Sequence, residues 1–302
     1  MARKRTLRIL LPAAALALAL LAAGCGTVRQ LGTQVGTGSG LIDEEQAASI
    51  NRAGEAIEKS FEDITPEQEY YIGRAVAATL LDTYQPLDDP EANRYLNLVG
   101  QTLAMASERP ETFGGYHFLL LDSDEVNAFA CPGGLILVCR GLVECCRSED
   151  ALAAVLAHEV AHVAHKDGLR AIKKSRLTAA LTTLSVEAAR NLGSEDLKKL
   201  TEQFAGSIDD VVQALVNNGY ARKFEYQADA AAVATLQAVG YSPHALADML
   251  QVMAQKWDPH GPGFMRTHPS PQDRIDHLPV GPGAVDEPPA RHARFAAALG
   301  DV

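Results

Sequence analysis

In the stretch Ala157-His158-Glu159-Val160-Ala161-His162 two histidines stand four residues apart. On a helix that spacing stacks both imidazoles on one face, where their ring nitrogens can converge on a tetrahedral ion such as zinc. Glu159 then lies beside the ion, where a carboxylate can take a proton from a water and later give it to a leaving amine. The pattern His-Glu-x-x-His therefore reads as a metal-dependent site for hydrolysing peptide bonds. The bland alternative is a core helix whose histidines only find hydrogen-bond partners. Two histidines with a glutamate between them on an otherwise apolar helix weigh against it.

A catalytic zinc needs a third protein ligand and an open position. Downstream, Tyr220-Ala-Arg-Lys-Phe-Glu225-Tyr-Gln-Ala-Asp229 sets two acids four apart on one helical face. Glu225 can bind the metal, while Asp229 accepts a hydrogen bond from the far nitrogen of a ligand histidine and so fixes its tautomer. The alternative is a solvated acidic face. A purely structural zinc is disfavoured, because closed sites use Cys and His without a neighbouring base. His165 is expected outside the ligand set, behind it or at the surface.

Helices and strands must hold these groups. Ser148-Glu149-Asp150 offers an N-cap and an acidic first turn, and Leu152, Val155, Leu156, Val160 and Val163 recur at helical spacing, with Gly168 near the end. Thr65-Pro66-Glu67-Gln68 is a capping box with proline in the first turn, predicting a helix to about Tyr84. A second helix is expected over Glu91 to Ser107. Short apolar runs at Phe118–Leu121, Asn127–Ala130 and Leu135–Val138 predict a small sheet ahead of the metal-site helix. Beyond that helix the chain is alanine-rich and helical in pieces through about Ala254, with breaks near Gly193, Gly219 and Gly240. The tail from Gly281 to Val302 contains several prolines and offers no evident partner for its final helix-like segment.

The N-terminus has a different composition. Arg3, Lys4, Arg5 and Arg8 precede an apolar run from Ile9 to Ala23 that is too short for a membrane span and reads as a secretory signal. Its end, Leu21-Ala22-Ala23-Gly24-Cys25, resembles the lipobox of bacterial lipoproteins, although leucine lies four places before the cysteine and Ala22 takes its usual place. An ordinary cleaved signal is the alternative. Gly26 after Cys25 resembles lipoproteins sent to the outer membrane of diderm bacteria, which places the chain on the periplasmic face. Residues 26 to 40 form a glycine- and threonine-rich tether, followed by a charge-rich helical stretch from Ile42 to Phe61.

The chain carries −11 overall, and the leader contributes four positive charges and no negative ones, leaving −15 on the remainder. That excludes nucleic acid as a partner and leaves membrane attachment to acyl chains rather than charge. Cys131, Cys139, Cys145 and Cys146 are too few for a disulfide scaffold. Cys131 and Cys139 flank a strand and could bridge only if the chain doubled back; otherwise all four are small buried hydrophobes.

Four stretches now add up. Asn127-Ala-Phe-Ala-Cys-Pro-Gly-Gly134 with Ile136, Val138 and Gly141-Leu142, then Ser148 to His162, then Glu225 to Asp229, then Arg266-Thr-His-Pro-Ser270 with Arg274 resemble the zinc metallopeptidases related to HtpX, the CAAX prenyl protease and the BepA-type periplasmic proteases. Their order and spacing cover about Asp63 to Leu278. Gln227 stands where that family commonly has glutamate, and Cys131 occupies a variable position.

The resemblance implies a mainly α chain with a small antiparallel β-sheet, an α+β gluzincin-like domain with its active-site helix packed near the sheet. The expected organisation is a lipoprotein signal peptide over 1–24, a tether and helical segment over 25–62, the peptidase domain over 63–280 and a tail over 281–302. One zinc ion per chain is expected on His158, His162 and Glu225, with Glu159 as base and Asp229 behind a ligand. His268 and Arg274 would sit over the metal, where His268 either stabilises an oxyanion or swings in as a fourth ligand; a His-Pro turn away from the site is the third option. Asn127, Ala128, Phe129 and Ala130 would form an edge strand that pairs with an extended substrate. The implied activity is a lipid-anchored endopeptidase, attached at Cys25, that acts on unfolded or misassembled envelope proteins. An assembly factor that holds clients with proteolysis latched off is the alternative.

Overall fold

Helix α1, Pro66–Leu81, begins where its cap is written: Thr65 accepts the Gln68 N–H and the Gln68 side chain accepts the Thr65 N–H. It turns Ile72, Val76 and Leu80 into the core and ends three residues short of Tyr84. Helix α2, Pro90–Met105, is capped by Asp89, whose carboxylate accepts the Ala92 N–H at 2.9 Å, and buries Tyr95, Leu96, Val99 and Leu103. The structure, a computed structural model, describes residues 64–172, 208–255, 267–300 and 302, of which those from Thr65 on belong to one compact unit. The leader, Cys25, the tether, the 42–61 stretch, the break at Gly193 and Arg266 lie outside the described residues. Among the described residues no helix is long and apolar enough to cross a membrane.

Three strands follow: β1 His117–Leu121, β2 Ala128–Cys131 and β3 Leu135–Cys139. They form one sheet in the order β1-β3-β2. β2 and β3 make the expected antiparallel hairpin, closed by Pro132-Gly133-Gly134 with Gly133 at φ +78° and Gly134 at φ +107°, a turn open to glycine alone. β1 runs parallel to β3, with His117 opposite Leu135 and Leu121 opposite Cys139, so the sheet is mixed rather than wholly antiparallel. Alternating side chains set which face is buried but carry no sign of strand direction, which is why the sequence did not separate the two arrangements.

The outer edge of β1 is closed by side chains. Asn93 on α2 accepts the Leu120 N–H at 2.8 Å, Asn97 accepts the Phe118 N–H at 3.0 Å and donates to the Phe118 carbonyl at 2.6 Å, and Leu87 donates to the Leu120 carbonyl at 2.9 Å. β2 forms the opposite edge.

Helix α3, Glu149–Ala164, carries the histidine pair and is buried almost all round, as an apolar helix inside a core must be. Ser148 caps it by accepting the Ala151 N–H at 3.1 Å. It packs on α2, β2, α4 (Arg222–Val239) and α5 (Ala245–Gln255), and α4 stops at Gly240. A single helical turn, Asp167–Arg170, follows α3 after Lys166, which is left-handed at φ 58°. The short α6, Pro271–Ile275, starts at the N-cap Ser270.

The final segment corrects one expectation. Helix α7, Pro289–Leu299, is packed against α2 and α3 rather than lying free, with Phe295 and Leu299 in the core. Its Arg294 grips the buried Glu149 and its Arg291 binds the buried Asp150 at 3.0 Å. Tyr95 and Tyr241 add hydroxyl donors to Glu149 at 2.6 and 2.7 Å. The two acids that begin α3 thus end up paired inside the fold, and their partners lie too far along the chain for periodicity to find.

Cys131, Cys139, Cys145 and Cys146 are buried free thiols. Cys131 and Cys139 lie at opposite ends of the β2–β3 hairpin.

Candidate metal centre and active site

Four side chains converge at the middle of α3. His158, His162, Glu225 and His268 each offer one ligand atom, and these atoms lie within 4.8 Å of one another. The two histidine Nε2 atoms are 3.1 Å apart. Glu225 lies 3.6 Å from the Nε2 of each of His158, His162 and His268. Ligands about 2.0–2.1 Å from a tetrahedral zinc stand about 3.3–3.4 Å from each other, so these separations fit one ion. Both oxygens of Glu225 are buried without a hydrogen-bond partner, which a divalent cation between them and the imidazoles would remedy.

The charges agree. Burial opposes ionisation of Glu225, yet His268, His162 and His158 hold its pKa down at about 2. Burial and Arg274 oppose protonation of His158, but Asp229 and Glu225 raise it to about 9. The cluster therefore keeps its carboxylate ionised with a proton on His158 to balance it, a proton that a divalent cation at the same point would displace. Burial lowers His268 to about 3 against the pull of Glu225, so this imidazole is neutral and free to ligate.

Glu159 projects from the same helix, 2% exposed, with its Oε1 unpartnered. Burial raises its pKa, although His158 and His162 pull the other way. That makes it a better proton acceptor than an exposed glutamate.

Each ligand histidine of α3 is held from behind. His158 Nδ1 sits 2.9 Å from Asp229. Arg274 is engaged behind His158. It is 1% exposed and gives Nε and Nη2 to the two oxygens of Asp229 at 2.9 and 2.5 Å, with Nη2 also 3.2 Å from His158 Nδ1. A guanidinium buried this deeply needs a carboxylate, and Asp229 takes its Nε and Nη2, so Arg274 helps to position His158. His162 Nδ1 sits 2.9 Å from Asp167, which is itself bound by Arg170 at 2.9 Å. Asp167 is absent from the sequence reading. The signal available was an acid five residues past the second histidine, just where the chain leaves the helix.

The remaining expected residues divide. His268 joins the ligand set, its Nδ1 3.0 Å from Thr267 Oγ1. Asn127 is buried, its Oδ1 accepting the Ala128 N–H at 3.0 Å and its Nδ2 without a partner. Ala128, Phe129 and Ala130 lie in β2 at the sheet edge, all buried. His165 stays outside the cluster and pairs with Glu108 at 3.3 Å.

Comparison with known proteins agrees with this geometry. The model of peptidase family M48 matches residues 90–279, more than half of the chain. The beta-barrel assembly-enhancing protease of Escherichia coli K12 is 26% identical over 210 residues, covering 69% of this chain and 42% of that protein. Its Yersinia pestis namesake is 30% identical over 194 residues, covering 62% of this chain and 38% of that protein. The metalloprotease LoiP of Escherichia coli K12 is 29% identical over 154 residues, 51% of this chain and 58% of that one. The chain thus spans less than half the length of the assembly-enhancing proteases it matches.

Proposed function

The chain belongs to peptidase family M48, and on that premise we propose that it is a lipid-anchored, zinc-dependent endopeptidase that hydrolyses peptide bonds of unfolded or misassembled proteins of the cell envelope. One observation carries this reading: the ligand atoms of His158, His162, Glu225 and His268 converge beside a buried, unpartnered oxygen of Glu159. When bound, zinc supplies Lewis acidity that polarises the scissile carbonyl and the attacking water. Glu159 removes the proton from that water and delivers it to the leaving amine. Asp229 and Asp167 fix the tautomers of His158 and His162 so that both Nε2 atoms stay turned to the ligand point. In this reading His268 leaves the ligand set to donate a hydrogen bond to the developing oxyanion.

The edge position of β2 supports substrate binding as an added strand. With β1 sealed by Asn93 and Asn97, an extended chain would add along Asn127 to Ala130, the other edge of the sheet among the described residues. Main-chain pairing reads little sequence, which suits substrates defined by being unfolded. A leader over 1–24, acylation of Cys25, a tether over 25–62 and a location at the outer membrane facing the periplasm complete the proposal. Glu159→Gln is expected to lower cleavage of a denatured protein at least about a hundredfold while zinc stays bound. Metal analysis beside a casein assay checks this, and a variant that still cuts would remove the proposed base.

A second reading has its own observation. His268 occupies the fourth ligand position, the place an attacking water needs. Held there it makes the chain a client-holding assembly factor with proteolysis latched off. His268→Ala separates the two: faster cleavage indicates a latch, and loss indicates a catalytic role. Rescue of envelope integrity by the Glu159→Gln chain in a deletion strain would favour holding over cutting.

A further inference from the structure

Among the buried side-chain donors without a partner in the described residues are Asn127 Nδ2 and, beside the metal centre, the hydroxyl of Tyr220. Leaving a donor buried and unsatisfied is costly, so each calls for an acceptor that the described residues do not supply. The setting of Tyr220 tells which. It follows a π-turn, Ala214–Asn218, that lies against β2, and irregular turns of this kind concentrate at functional sites. Between them, Gly219 has φ +67°, and a Cβ there would meet the Thr267 carbonyl oxygen at 1.7 Å. Only glycine lets the chain pass so close beneath the stretch bearing His268.

The Tyr220 ring lies 4.8 Å from the ring of His162. A Cβ on Gly168 would stand 3.4 Å from the Tyr220 oxygen and 3.1 Å from Pro132 Cγ, so the hydroxyl lies at the Cys131–Pro132 end of β2. A phenol of ordinary pKa, about 10, keeps its proton at neutral pH, so the oxygen is a donor in the company of the carboxylates of Asp167, Glu159 and Glu225. Those carboxylates accept nothing from it. A donor beside a ligand histidine, at the Cys131–Pro132 end of the strand along which substrate is proposed to add, is placed to meet a main-chain carbonyl of such a peptide.

We propose that Tyr220 is a substrate-binding residue whose hydroxyl donates a hydrogen bond to a main-chain carbonyl of the extended peptide, next to the scissile bond. The proposal rests on the peptidase reading above and extends it to a residue no motif assigns. Recognition of a main-chain carbonyl is independent of side-chain identity, in keeping with substrates of varied sequence.

Tyr220→Phe removes the hydroxyl and keeps the ring against His162. With a quenched fluorescent peptide cut by the wild-type chain, this variant is expected to lose roughly tenfold to a hundredfold in kcat/KM. Its zinc content and melting temperature should be unchanged. In the Glu159→Gln background, the same peptide measured by fluorescence anisotropy should bind more weakly when Tyr220→Phe is added. A kcat/KM within twofold of wild type would overturn the proposal, as would activity lost in step with zinc, since the residue would then act through His162. If the wild-type chain neither cleaves nor, as Glu159→Gln, binds the peptide, the peptidase reading falls and this inference with it.

Discussion

His158 and His162 are backed by the same device, a carboxylate carried by an arginine, built in opposite ways. Behind His158 stand Asp229 from α4 and Arg274 from α6, the arginine 116 residues along the chain and 1% exposed. Behind His162 stand Asp167, five residues on, and Arg170, three further, with 36% of the arginine side chain exposed. The near clamp can form as soon as α3 and its following turn exist. The far clamp exists only once α4 and α6 have docked, so the geometry of His158 depends on the tertiary fold and that of His162 largely does not. A buried ion pair is hard to break because either partner left alone is a stranded charge, whereas a half-exposed arginine is rehydrated cheaply.

The sharpest way to break the comparison is Asp229→Ala. It strands Arg274 in the core and frees His158, and the expected loss is about 3–5 kcal/mol of unfolding free energy in urea. Zinc affinity should fall at least about tenfold in a chelator titration. Asp167→Ala should cost about 1–3 kcal/mol, with a similar fall in zinc affinity, because Arg170 can turn to water. Equal stability losses for the two would mean that burial does not govern the difference. Double-mutant cycles refine the point: Asp229 with Arg274 should couple by more than about 1 kcal/mol, and Asp167 with Arg170 by less.

Acid gives the smallest effect. Arg274 and His158 hold the Asp229 carboxyl below its usual range against the opposing effect of burial. Its folded pKa is depressed, so its contribution is full above the unfolded value of about 3.9 and is lost as pH falls below it. Asp229→Asn should flatten that acid limb of stability measured by denaturation below about pH 4.

These two clamps also mark where sequence reading succeeds and stops. Asp229 could be placed because it shares a helical face with Glu225, and helical faces are a property of spacing. Arg274 could be found but not seated, since the choice between facing the metal and facing Asp229 is made by tertiary packing. Asp167 sits on a turn, where no period applies. The hairpin of β2 and β3 was readable from its Pro-Gly-Gly turn, but the parallel course of β1 and the docking of α7 on Glu149 and Asp150 depend on contacts between distant residues. Tyr220 carries no motif, and only its unpartnered hydroxyl marks it.

Asn93 and Asn97, carried by α2, seal the outer edge of β1 with their side chains. Growth of sheet upon sheet, the route by which exposed strands propagate into fibres, requires every unit to offer two mating edges. With Asn93 and Asn97 occupying one of them, this sheet has a valence of one. A chain pairing along β2 would therefore end a stack instead of extending it, because the far side of the sheet offers no second edge.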